Sequence, residues 1–99
     1  MMNESHARAL LDSAATGNTE SLSRLYEIFA DETYSICARY IPERILRDDA
    51  MVQLWLHYWQ SAPRLAAVVG SVRETFVSVA HAHAHAYANG HVQEPLLAS

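Results

Sequence analysis

The sequence contains no lysine: its seven basic residues are all arginine, set against eleven acidic ones, for a formal charge of −4. Without a cationic surplus a chain lacks the sequence-independent phosphate attraction behind most nucleic-acid affinity, which excludes strong general binding to DNA or RNA. Cysteine occurs once, at Cys37. An internal disulfide is therefore ruled out, and a reduced cytoplasmic setting is expected. Three glycines and three prolines in 99 residues supply too few turn signals for an all-β chain. No apolar run reaches the length of a membrane span, so no membrane partner is expected. The opening MMNESHARALL lacks a basic region followed by a long apolar segment, and so does not read as a signal peptide. There is also no nucleophile elbow, glycine-rich phosphate loop or spaced metal motif. No enzyme activity and no cofactor are expected.

What remains is a helix-forming composition, 51% hydrophobic, long enough for one domain over residues 1–99 with a single modest core. The expected fold class is all-α, a compact bundle of four helices. Its centre is Asp48 to Pro63, DDAMVQLWLHYWQSAP. There Met51, Leu54, Trp55, Tyr58 and Trp59 recur at spacings of three and four, which gathers the largest side chains on one stripe. The other side carries Asp48, Asp49, Gln53, His57 and Gln60, a hydrogen-bonding surface for water or a partner. Acidic residues suit the front of a helix, and Pro63 is expected to stop this one near Ser61.

The other helices follow from similar patterns. Ala7, Leu10, Leu11 and Ala14 predict a helix over 4–16, with Asn3 as a cap. Gly17 and Asn18 end it, and Asn18 or Thr19 caps a second helix over 19–40. That helix keeps Leu22, Leu25, Tyr26, Phe29, Thr33, Ile36, Cys37 and Tyr40 on one face. The short link after Pro42 predicts antiparallel packing against the central helix. RLAAVVG reads as a loop, after which Ser71 and Glu74 form a capping box for a fourth helix over 72–89. Val72, Phe76, Val79, Ala80, His83 and Tyr87 share its stripe, Gly90 stops it, and the tail 90–99, with Pro95, is expected to be flexible.

The histidines and aromatics admit site readings. His81 and His85 stand four apart on one helical face, the spacing at which two imidazoles share a metal ion. Two ligands without an adjacent Cys or carboxylate fall short of a site, so no metal is expected. Trp55, Tyr58 and Trp59 read as core rather than as pocket lining, and Cys37, on a core stripe, reads as inert.

GNTESLSRLYEIFADETYSICARYI, DDAMVQLWLHYWQSAPRL and GSVRETFVSVAHAHAHAYA together resemble region two of bacterial sigma factors of the extracytoplasmic-function group. Gly17, Leu22, Leu25 and Tyr26 match the first segment. Asp48, Asp49, Trp55, Leu56, Trp59, Ala62 and Pro63 match the central helix, and Gly70, Ser71 and Arg73 the later Gly-Ser-x-Arg. The resemblance implies binding to the clamp helices of core RNA polymerase through Asp48, Asp49 and Gln53. It also implies contacts to promoter DNA through Arg64, Ser71, Arg73, His81 and His85. Departures are visible: Val52 stands where the family has Gln, with Gln53 one residue later. The DNA helix shows Thr75, His81, His83, Ala86, Tyr87 and Asn89 in place of Trp and several arginines. The stretch also lacks a counterpart of the family's second DNA-binding domain. Two functions stay open: transcription initiation through polymerase and promoter DNA, or a sigma-like interaction module without DNA binding. An anti-sigma factor and a second copy of the chain are further candidate partners.

Overall fold

The computed structural model describes residues 4–90, and among these it is built from four α-helices: α1 (Glu4–Ala15), α2 (Thr19–Tyr40), α3 (Arg44–Ala66) and α4 (Val72–Ala88). The all-α four-helix bundle expected from the periodicity is what forms. Every pair of helices touches, and the broadest contacts are α1 with α3 and α2 with α4. Buried alanines, Ala7 and Ala14 on α1 with Ala50 and Ala62 on α3, allow close approach of helix axes.

The core is aromatic at its centre. Tyr58 stacks on Phe76 with ring centroids 4.2 Å apart. Trp55 meets Tyr58 edge-on at 4.7 Å, and Phe29 closes on Phe76 at 5.3 Å. Offset and edge-on arrangements of this kind add to the area each ring buries. The polar groups of this aromatic cluster are paired: the Tyr58 hydroxyl donates to the Phe76 carbonyl at 2.6 Å, and Trp55 Nε1 donates to Thr33 Oγ1 at 3.3 Å. Thr33 in turn donates to the Phe29 carbonyl of its own helix at 2.8 Å. That exchange lets a hydroxyl sit buried without an orphaned donor.

Asn18 caps α2, its side chain accepting from the backbone N–H of Glu20 and Ser21. Ser71 caps α4, accepting from Glu74 N at 3.1 Å. Another of the free backbone donors at this helix start is taken up from elsewhere in the chain: the Glu4 carboxylate accepts from Val72 N and from Ser71 Oγ. One turn along α1, Arg8 donates to the carbonyls of Ala66 (2.8 Å), Val68 (3.1 Å) and Gly70 (3.0 Å). The first two turns of α1 thus hold the α3–α4 link through both its donors and its acceptors. The expected caps of Asn3 and the expected flexible tail after Gly90 lie outside the described residues.

The central helix departs from the boundaries expected of it. It starts at Arg44 rather than Asp48 and runs to Ala66, with Pro63 inside. The early start follows from the α2–α3 turn. There Arg47 donates to the carbonyls of Ile41 (3.1 Å) and Pro42 (2.7 Å) and to the Tyr34 hydroxyl (3.0 Å), satisfying turn carbonyls while remaining helical. The late end follows from burial and capping. Leu65 is buried beyond Pro63, and Arg8 takes the Ala66 carbonyl that a terminating helix leaves unpaired. Pro63 itself is exposed, where losing one backbone donor is least costly.

Candidate interaction surface

Three shallow hollows run together along the junction of α2 and α3. The first, of about 420 Å³, is lined by Tyr26, Tyr34, Asp48, Met51, Val52 and Trp55. A second, of about 500 Å³, adds Leu22, Ser23 and Glu27, and a third, of about 390 Å³, adds Thr19, Leu56 and Trp59. Trp55 borders all three, so they form one groove. Thr19 and Leu22 face Leu56 and Trp59 at one end, and Tyr34 faces Asp48 at the other. That pairing is the antiparallel arrangement the short link requires.

The stripe of α3 explains how the groove arises. Met51, Leu54, Trp55 and Tyr58 are buried as the spacing predicts. Trp59, on the same stripe, is only half-buried: it packs against the edge of the core and forms part of the groove's wall. Val52 and Leu56, one turn apart, remain 68% and 52% exposed, and Tyr26 across the groove is 46% exposed. Clustered apolar side chains left to solvent beside a groove mark contact surfaces more often than isolated ones do. Acidic groups rim this one: Asp48 and Glu27 line it, and Glu20 lies at its α2 end.

The three residues expected to meet polymerase are close together, with different commitments. Asp48 is exposed, 3.8 Å from Arg44 and 3.4 Å from the Tyr34 hydroxyl. Both are long, surface-exposed interactions of small worth. Asp49 is exposed as well but has partners within the domain: its Oδ2 accepts from Gln53 Nε2 and from the Tyr87 hydroxyl, each at 2.8 Å. Asp49 and Gln53 thereby tie α3 to the end of α4.

The five residues expected to meet DNA are not gathered on one open face. Arg73 donates to both carboxylate oxygens of Glu32 on α2, at 3.1 and 2.5 Å. His81 shares a 2.9 Å hydrogen bond with the Tyr40 hydroxyl, and both His81 and His85 stand edge-on to the Tyr40 ring at 5.7 and 5.8 Å. Ser71 serves as the α4 cap and donates to Glu4. Arg64 reaches only Ser61 of its own helix, at 3.3 Å. Four of the five are turned toward other elements of the bundle, which leaves Arg64 as the cation of this set open to a phosphate. The stretch Arg64 to Gly70, expected to be a loop, is helical through Ala66; past it Val69 is 97% exposed.

Other functional readings find little geometry. Among the described residues, no three His, Cys, Asp or Glu side chains come together to hold a metal ion, and no helix is long and apolar enough to cross a membrane. Cys37 is buried, and its thiol pKa is pushed up by that burial, with Arg47 partly opposing. Sequence reasoning missed the groove, because Val52 and Leu56 sit off the core stripe and nothing in their spacing says that no helix covers them. Compared with protein-family models, with curated proteins and with solved structures, the chain matches none of them.

Proposed function

We propose that this domain is a sigma-region-two-like protein-interaction module that docks a helix of core RNA polymerase in the α2–α3 groove and makes little use of DNA. The observation that carries the reading is the continuity of the groove: Leu22, Tyr26, Val52, Trp55, Leu56 and Trp59 form one apolar trough with Asp48 and Glu27 on its rim. An amphipathic helix lays its apolar face into such a trough. Acidic rims favour a partner with flanking arginines, as the resemblance implies for the polymerase clamp. Within this reading Asp48 contacts the partner, whereas Asp49 and Gln53 shape the face from behind through Tyr87.

Promoter DNA has a smaller place in the proposal. Phosphate contacts need free hydrogen-bond donors, and Arg73, His81 and Ser71 already have partners within the bundle. The test is co-purification of core polymerase with the tagged chain, with and without promoter DNA, using parent, V52E and L56E forms. Both substitutions fall on exposed positions, so folding should be retained while binding weakens by roughly 30-fold or more, the effect of losing a hot spot. Equal recovery of polymerase by all three forms would overturn the docking assignment. A promoter-dependent gain in binding would restore the DNA function.

A further inference from the structure

The two flanks of α4 are chemically different. Toward α2 it presents Arg73, His81 and His85, which meet Glu32 and Tyr40. Toward α3 it presents His83 and Tyr87, one turn apart. They face an α3 ladder of the same spacing: Asp49, Gln53 and His57. Tyr87 bonds to Asp49 at 2.8 Å, and the rings of His83 and His57 lie nearly parallel, 23° apart in tilt with centroids at 6.2 Å. Among the described residues, His83 Nε2 is the buried side-chain polar atom that has no hydrogen-bond partner. A buried donor or acceptor left unpaired is costly, and native structures keep few of them without a use.

We propose that this seam is a histidine latch: neutral His57 and His83 stack and close α3 on α4, and protonation of both makes them repel, opening the seam and freeing Asp49 from Tyr87. The charges around the pair offer little relief. Asp49 is two turns from His57 along α3, on the order of 12 Å, where its attraction is largely screened at physiological salt. His81 and His85 occupy the opposite flank with Tyr40, and Glu32 of α2 is taken by Arg73. Glu4 and Arg8 of α1 are held at the α3–α4 link, and His6 and Asp12 are exposed on α1.

Burial lowers the His83 pKa below its ordinary value, and the neighbouring His57 lowers it further. The folded state therefore binds fewer protons than the unfolded one just below pH ~6.5. The latch is fully closed above that pH. Closure weakens as pH falls from there toward the lowered folded value, by up to tenfold for each pH unit and each group so suppressed.

The experiment follows the imidazole resonances of the full chain by NMR between pH 5 and 8, with amide exchange of α4 measured at pH 7.5 and 5.5. His83 should titrate below pH 6.5, and protection around His83 to Tyr87 should fall severalfold, up to about tenfold, at the lower pH after correction for intrinsic exchange. His57→Gln should raise the His83 midpoint and measurably reduce that loss. His83→Leu, which keeps the site apolar, should remove it as well, and the pair H81Q and H85Q should leave it unchanged. An acid loss identical in the parent and His57→Gln, or a His83 that titrates like free imidazole, would overturn the latch.

Discussion

Replacing Trp55 with alanine should destabilise the domain far more than the same change at Trp59, although the two lie four residues apart on one stripe. Trp55 is buried against Tyr26, Tyr58 and Phe76, and its indole N–H is paired with Thr33. Truncation removes those contacts and leaves a cavity with Thr33 short of a donor, at a cost of roughly 3–5 kcal/mol. A domain of this size has about 5–15 kcal/mol in total. Trp59 is half-buried at the groove wall, so its truncation should cost about half as much or less. The assay is urea unfolding of parent, W55A and W59A followed by far-ultraviolet circular dichroism. With about 4–8 °C of midpoint for each kcal/mol in a domain this small, thermal scans should separate the variants by roughly 6 °C or more. W59A as destabilised as W55A would refute the assignment of Trp59 to an open wall, and with it the groove.

Arg8→Met keeps the aliphatic stem but removes three hydrogen bonds to the α3–α4 link. Amide exchange over residues 66–71 should rise, with a stability loss of about 1–3 kcal/mol in denaturant; unchanged exchange there would mean that the link holds itself. Cys37 should resist a thiol reagent in the folded chain and react within the dead time once urea unfolds it. Modification of the native protein at the unfolded rate would contradict its burial.

Much of the bundle was legible because periodicity reports burial directly. Leu25, Phe29, Thr33, Ile36 and Cys37 lie on one face of α2 and are buried together, and Val72, Phe76, Ala80 and Tyr87 do the same on α4. The ends of α3 were not legible, since a proline rule applied locally knows nothing of Arg8 arriving from another helix to take up the carbonyls beyond it. Thr33 could be placed in the core from its spacing, but its role as acceptor for Trp55 depends on a helix that begins after the next turn. The candidate surface was half legible. Asp48, Asp49 and Gln53 could be assigned to one side of α3, but only the fold shows that Tyr87 claims Asp49 while Asp48 stays available. Likewise, that α4 carries Arg73 as its single arginine could be read in the letters, whereas the pairing of Arg73 with Glu32 joins residues far apart in sequence.

The grip of Glu4 and Arg8 on the α3–α4 link has a consequence for how the chain acquires its structure. These bonds join residues separated by 58 to 68 positions, so each must close a long stretch of chain before it returns any stabilisation. During synthesis α1 is made before the other three helices, but its polar partners on the α3–α4 link arrive only once Val72 has emerged, whereas neighbouring helices can begin to pair through their short turns well before that. Folding should therefore run outward from helices joined by short turns, and the seating of α1 on the α3–α4 link should be among the last steps to lock.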